Sequence, residues 1–416
     1  MKFRFPSFWK KVSVVLFGTV MSQMFPLLLL PLITRVLSQQ DVGYYFTWLG
    51  GVLILAVVTS LRLDMAVFQV KTNRAAISVV HGLIIVLAVF FAISLAAGFL
   101  LEPVFKRVSD FSFLWLISGL VAASFLGLNL VVNSIFSREG SFKRQAKWKI
   151  ILGGVTALSQ LIVLQSGFGV EGLILAHAAA VSMVSVLMAK SCGVLGHKFF
   201  QLRLLRVSLL RVTQCRRYVF VSMPAALVNT TAAYLPLFLI TGRLGPMAAG
   251  QFGLTQRVIA APLGLVGSSI VSVFRQEVSE TYRGFDDCLP LYLKTLRSLA
   301  FVALVPFALL AFFGPEIFLT VFGDEWRQAG VFAQILAPFI FLRFIASPLS
   351  YMLFLANRQY SDLLWQVILL VLTAGIFLMA SDIDLAVILY SAIGSVMYSV
   401  NLLMSYKVAK SSASRT

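Results

Sequence analysis

Six polar residues interrupt otherwise apolar sequence, and their types suit the handling of an anion. Arg257 lies in GQFGLTQRVIAAPLGLVG and Arg343 in APFIFLRFIASPLS, with no acidic residue in either stretch. Arg62 and Asp64 share SLRLDMAVF, Arg35 sits in LITRVLSQ, and Asn229 precedes two threonines. A guanidinium presents five N–H donors in a planar fork that fits phosphate or carboxylate oxygens, and an amide adds a neutral donor and acceptor. No nucleophile motif, phosphate-binding glycine loop or metal-ligand cluster accompanies them. Cys192, Cys215 and Cys288 have no metal spacing. The residues therefore predict binding without bond-breaking chemistry: a protein that is not an enzyme and holds no metal or other cofactor.

The elements that position these residues follow from composition. The chain has 416 residues, 59% hydrophobic and 12% charged, with a mean hydropathy of +0.93. Soluble domains carry about 25% charged residues, so this chain belongs in a bilayer. A spanning helix needs about 20 mainly apolar residues. Twelve such stretches are predicted, near 12–36, 42–66, 78–101, 112–136, 149–167, 170–191, 218–241, 246–274, 291–314, 328–356, 361–380 and 385–405. The opening MKFRFPSFWKKVSVVLFG has no small-residue cleavage site, and its apolar run continues to Leu37, so it is read as a retained first span. The fold class is then an all-α polytopic membrane protein, with about 12 transmembrane helices in two six-helix bundles around a central cavity. Residues 1–191 form the first bundle, 192–217 a basic cytoplasmic linker, and 218–416 the second bundle. The linker, rich in Arg and Leu, is either an amphipathic helix on the anionic inner leaflet or a connector whose charges only enforce topology.

The net charge of +18 points to membrane topology and not to nucleic acid. With the N-terminus inside, Arg35, Lys106, Arg107, Arg243 and Arg327 fall outside, and Arg62, Arg257 and Arg343 fall within or at the edge of spans. The other 26 of the 34 basic residues fall inside, which places both termini in the cytoplasm. The halves also share a weak repeat. Leu30-Pro31-Leu32 leads to Gly43, and Leu235-Pro236-Leu237 leads to Gly250; each glycine opens the next helix after a short outer turn. Two halves in the same orientation imply a pseudo-twofold along the membrane normal, with the substrate route between them.

Depth sorts the charges. Arg257 lies about 16 Å into its span at about 1.5 Å per residue, near the middle of a core about 30 Å thick. Arg343 is also midway. All 16 acidic residues fall outside mid-depth, so these two arginines have no carboxylate partner there and want an anion or a water-filled cavity. Satisfaction by helix carbonyls, or by Asn229 and Gln256, is the simpler alternative. Arg62 and Asp64, two apart, point to different helix faces and are either interfacial or functional; Asp64 is a candidate gating or ion-pair residue. Arg35, at a helix end, reads on sequence alone as interfacial. Asn129 and Asn133 share a helix face and either line a sugar path or act as interhelical hydrogen-bonding glue, the commoner case. Gln23, Gln160 and Gln334 are further polar residues within spans. His177 reads as a packed core histidine in preference to a proton relay, and Gly153-Gly154 as close helix packing. Prolines 26, 31, 224, 236, 262, 338 and 348 predict bent helices.

Residues 23–68, QMFPLLLLPLITRVLSQQDVGYYFTWLGGVLILAVVTSLRLDMAVF, resemble the opening of Wzx-type polysaccharide (O-antigen) flippases. The shared features are a proline-rich first helix, Arg35 before the outer turn, Gly43 opening the second helix, and Arg62, Asp64 and Ala66 closing it. Residues 234–280 resemble that family's seventh and eighth helices. The resemblance implies the multidrug/oligosaccharidyl-lipid/polysaccharide exporter fold in the bacterial inner membrane. It implies flipping of an undecaprenyl-pyrophosphate-linked oligosaccharide, with a polysaccharide polymerase and a chain-length regulator as partners. It implies that Arg35, Arg62 and Arg257 line the cavity; Arg343 matches no family position. The coupling ion, proton or sodium, stays open. A drug or cation antiporter of the same fold would need acids at depth, and a peptidoglycan-precursor flippase would carry two further helices. An integral polymerase or ligase would carry a large outer loop.

Overall fold

The computed structural model describes residues 5–64, 67, 78–93, 96, 113–193, 215, 218–284, 286–356 and 358–412. The basic linker thus falls almost wholly outside the described residues. Hydrocarbon offers backbone groups no partner, so a spanning chain must bond to itself along a helix. The chain accordingly forms α1 (Phe5–Val36), α2 (Gln39–Ser60), α3 (Ser78–Ile93), α4 (Phe113–Arg138), α5 (Phe142–Gln165) and α6 (Gly169–Ser191). It continues with α7 (Met223–Arg243), α8 (Pro246–Arg283), α9 (Leu289–Phe322), α10 (Arg327–Leu349), α11 (Gln359–Met379) and α12 (Ile383–Ser412). A 3-10 turn, Asp324–Trp326, precedes α10. Among the described residues, nine helical stretches are long and apolar enough to cross a bilayer: α1, α2, α4, α5, α6, α9, α10, α11 and α12. Helices α3, α7 and α8 fall where three further spans are predicted. Large apolar side chains such as Phe301, Phe312, Val371 and Leu403 face outward, which suits lipid tails as neighbours. The all-α polytopic membrane architecture expected from the sequence is the one the chain adopts.

The chain clusters into two compact units. The first comprises residues 1–29 and 44–234. The second comprises 30–43 and 235–416, so the tip of the α1–α2 hairpin packs with the C-terminal half.

In the first unit, Leu63, Val79, Leu83, Val131, Val132 and Phe136 form a dry core at the junction of α2, α3 and α4. Small residues let backbones approach. A Cβ on Gly153 would strike Ser22 O, so α5 meets α1 at the glycine expected to pack closely. Polar side chains then tie helices together where water is absent. Trp48 Nε1 donates to Trp115 O at 3.0 Å, and Thr59 Oγ1 to Ala123 O at 3.1 Å. Asn133 Nδ2 donates to Asn129 Oδ1 at 2.7 Å, and Asn129 Nδ2 lies 3.4 Å from Met188 Sδ. Asn129 thus reaches a second helix, α6, while Asn133 bonds back to Asn129 within α4, as their four-residue spacing allows.

The second unit is organised around a close crossing of α2 and α8. Gly43 and Gly250 are each the fifth residue of their helix, and each faces the first residue of the other. A Cβ on Gly43 would overlap Pro246 O, and a Cβ on Gly250 would overlap Gln39 O. This reciprocity is what a local twofold axis between the two helix starts produces. The two glycines that open the sequence repeat are the two that touch. Around them, side chains satisfy helix ends that cannot bond within their own helix. Gln251 Oε1 accepts from Ala329 N, in the first turn of α10, at 2.8 Å, and its Nε2 donates to Glu325 O at 2.8 Å. Gln39 Nε2 donates to the same Glu325 O at 2.7 Å. Thr255 Oγ1 reaches Ala329 O at 2.7 Å, and Trp326 Nε1 donates to Thr34 O at 3.0 Å.

Helix α9 carries Pro306 and Pro315 inside it, two prolines absent from the sequence-based set, and bends at Phe313 (φ −124°, ψ 16°). Pro315 has no N–H to give the carbonyl four residues back, that of Ala311. Gln334 on α10 supplies the missing donor, with Nε2 at 2.7 Å from Ala311 O. The polar residue that looked out of place in its span is the repair for a proline in another.

Candidate functional site

The structure places Arg35, Arg257 and Arg343 in the second unit, and Arg62, Asp64 and Asn229 in the first. Arg257 is the twelfth residue of α8, seven beyond Gly250. Seven residues are nearly two full turns, so Arg257 shares the helix face of Gly250 and stands about 10 Å further along. The hydrogen bonds of Gln251 and Thr255 to Ala329 fix the preceding turns and hence the height of its Cα. Its side chain is partly buried, and it makes no salt bridge among the described residues. Arg35 is exposed in the last turn of α1, four residues before Gln39. Arg343 is exposed on α10 and lies near enough to Tyr390 of α12 to interact with it electrostatically. Asn229 is exposed on α7.

Arg62 and Asp64 occupy a less ordinary setting. Helix α2 stops at Ser60, and Leu61 (φ 45°) and Arg62 (φ 55°) adopt left-handed backbone. They are the non-glycine residues at positive φ among the described residues. Such conformations cost about 1–3 kcal/mol each and collect at functional positions. The Arg62 N–H donates to Ser60 Oγ at 3.3 Å, while its Nε is buried with no hydrogen-bond partner. Asp64 is only 7% exposed. Sequence spacing could not show that the helix ends before both of them and that the chain turns at Leu61 and Arg62.

A second polar cluster escaped sequence reading. Tyr45 on α2, Gln160 on α5 and His177 on α6 meet: Tyr45 Oη lies 2.9 Å from His177 Nδ1, and Gln160 Nε2 donates to Tyr45 Oη at 2.7 Å. Gln160 and His177 each stood out as polar residues in apolar spans, but nothing at separations of 132 and 115 residues signals that Tyr45 joins them. Near the start of α11, Gln366 Nε2 donates to Asp362 Oδ2 at 2.8 Å.

Cys192 and Cys288 are not poised as nucleophiles. Burial, reinforced by the charge of Glu139 and opposed by Arg144, pushes the Cys192 thiol up to about 11. Burial also raises Cys288, at the foot of α9, against a hydrogen bond from Ser412. Neither is a thiolate at neutral pH, so neither has the reactive form a nucleophilic cysteine needs. No group of three or more His, Cys, Asp or Glu able to hold a metal ion occurs among the described residues.

Comparison with known proteins supplies the context. Residues 14–330 match the polysaccharide biosynthesis protein family. A succinoglycan biosynthesis transport protein of Rhizobium meliloti (strain 1021) is 26% identical over 306 residues, 72% of this chain and 59% of the relative. The match thus spans about three-fifths of that relative's length. Among solved structures, an inward-facing multidrug resistance MATE family transporter of the MOP superfamily aligns with a TM-score of 0.73 at 16% identity, covering 96% of this chain and 98% of the other. The lipid II flippase MurJ, in an inward closed conformation, aligns with a TM-score of 0.71 at 12% identity, covering 98% and 88%. Identities this low establish the shared fold.

Proposed function

The chain belongs to the polysaccharide biosynthesis protein family, and from that premise we propose that it is a flippase. It carries an undecaprenyl-pyrophosphate-linked oligosaccharide, an O-antigen or related surface glycan unit, across the bacterial inner membrane by alternating access. Both termini then lie in the cytoplasm. The observation that supports this reading best is Arg257. It is a guanidinium part-way along a membrane helix, partly buried, with no salt bridge among the described residues. A charge at such depth is costly, at about 2.5–3.5 kcal/mol on insertion scales, and is retained where it serves a pathway. A pyrophosphate offers the bidentate oxygen pairs that guanidinium binds best. Arg35, Arg62, Arg343 and Asn229 are assigned to the same anionic headgroup, and Asp64 to gating. The relative's name, a transport protein of succinoglycan biosynthesis, supports a glycan cargo.

The test is export. Arg257→Ala, expressed in a strain lacking the chromosomal copy, is expected to insert normally yet reduce surface glycan at least tenfold, with lipid-linked units accumulating inside. Arg257→Lys keeps the charge without the fork and should fall between. Wild-type glycan levels from an inserted Arg257→Ala protein would overturn the proposal.

A further inference from the structure

Helix α5 opens with a run of cations: Lys143, Arg144, Lys147 and Lys149. No acidic residue shares its first turn. The helix dipole is positive at this end and disfavours cations there, so gathering them costs stability. Lys143, Arg144 and Lys147 are exposed, and the preference of basic residues for the inner side accounts for them. Lys149 is different. It is partly buried, because the helix begins at Phe142 and not at Lys149, where the predicted span opens. Lys149 thus lies about 10 Å along α5, at about 1.5 Å per residue, within a stretch long and apolar enough to cross a bilayer. Topology asks for basic residues at this end. It does not ask for one drawn inward.

The contact of α1 with α5 holds this side chain in place. A Cβ on Gly18 would lie 2.6 Å from Ala146 Cα, and one on Gly153 would strike Ser22 O. Ala146, Lys149 and Gly153 are spaced by three and four residues, so they share one face of α5. Backbones that meet this tightly on either side of Lys149 fix its Cα against α1. Its Nζ donates to Thr19 Oγ1 at 3.0 Å. An ammonium carries three N–H donors, and this is the hydrogen bond that Lys149 makes among the described residues. Burial acts on its charge, and no carboxylate stands close enough to offset it. A charge withdrawn from water without a counter-ion is costly, and is kept where a partner arrives from elsewhere. The three exposed cations raise the potential at this end of α5 and draw anions toward it. An ammonium is a compact point charge, which suits a phosphate oxygen approaching from any direction.

We infer that Lys149 is an anion-binding residue of the first unit, which takes the pyrophosphate of the lipid-linked cargo as it leaves the inner leaflet. This role rests on the flippase reading above, and the test separates them. Binding of undecaprenyl pyrophosphate is measured on purified full-length protein in detergent, with inorganic pyrophosphate and phosphatidylglycerol as competitors. Wild type is expected to bind the probe, with inorganic pyrophosphate competing and phosphatidylglycerol competing far less. Lys149→Gln should weaken binding by about tenfold or more, the worth of one charge-assisted hydrogen bond. Lys149→Arg keeps the charge and should stay close to wild type, as should Lys410→Gln, which removes an exposed lysine on α12. The wild-type protein gives a second measurement that needs no variant: the probe should protect Lys149 from acylation by an amine reagent, read by mass spectrometry. If Lys149 only ties α5 to α1, Lys149→Gln lowers the thermal midpoint as Thr19→Val does and leaves affinity unchanged, which overturns the inference. Lys149 left unprotected by the probe overturns it as well, and phosphatidylglycerol competing as well as inorganic pyrophosphate assigns the site to bulk lipid and does the same. A wild type that binds no probe overturns the flippase reading together with this role. Binding lost in Lys149→Gln yet kept in Arg257→Ala supports Lys149 and counts against Arg257 alone.

Discussion

Replacing Gly43 with alanine puts a methyl group into the crossing of α2 and α8. The new Cβ would overlap Pro246 O and lie 2.9 Å from the Pro246 carbonyl carbon and 2.8 Å from Gly250 N. All three are backbone atoms, so no side chain can swing away. Ordinary carbon–carbon contact is about 3.5–4.0 Å, so relieving the carbon contact alone parts the helix starts by roughly 0.6–1.1 Å, and the overlap with Pro246 O demands more. Gln39 moves with Gly43, and its 2.7 Å bond to Glu325 O would stretch to about 3.3–3.8 Å, beyond the useful range. Overpacking of this kind costs about 1–3 kcal/mol, and the lost hydrogen bond about 1 kcal/mol more. The expected destabilisation is therefore about 2–4 kcal/mol, read as a lower thermal midpoint in detergent by helical circular dichroism. Gly250→Ala should behave alike, because the contact is reciprocal. Gly375→Ala is the control: nothing lies within 4 Å of its Cβ position, and alanine should be neutral or up to about 1 kcal/mol stabilising. A Gly43→Ala protein that melts with the wild type would refute the account of this crossing.

Two other outcomes are expected. Gln334→Leu leaves Ala311 O beside a proline with no donor, and should lower the thermal midpoint by the equivalent of about 1–3 kcal/mol; Pro315→Ala in that background should recover part of the loss, since it restores an N–H. Cys192 should react slowly with maleimide at neutral pH, and faster only as pH climbs toward about 11. Its folded value lies above the ordinary 9.0, so the unfolded chain releases that proton first, and stability contributed by the thiol should fall as pH rises from about 9 to 11.

Much of this was legible in the sequence because lipid imposes simple rules. Long apolar stretches could only be helices, and the Leu-Pro-Leu to Gly pattern marked the two glycines that meet. Gly153 and the Asn129–Asn133 pair were readable from size and four-residue spacing. What escaped depends on distant contacts. Nothing local indicates that residues 30–43 pack with the second half, that Gln334 answers Pro315 on another helix, or that Tyr45 completes a clasp with Gln160 and His177. The left-handed turn at Leu61 and Arg62 was hidden for another reason: neither residue favours it, so only tertiary packing can hold it.

The hairpin tip has a consequence for biosynthesis. Thr34 O waits for Trp326, 292 residues later, and Gln39 for Glu325, 286 residues later. At about 5–20 residues per second, the ribosome needs roughly 15–60 s to supply these partners. During that interval the first helices are already inserted, with the polar groups of Thr34 and Gln39 facing water or lipid headgroups at the membrane surface. The newborn protein must therefore persist for most of its synthesis with this corner unfinished, and the 3-10 turn Asp324–Trp326 acts as the latch that completes it. Ribosome stalling or truncation before Trp326 should leave a protein that is inserted yet readily degraded, whatever the quality of its first six helices.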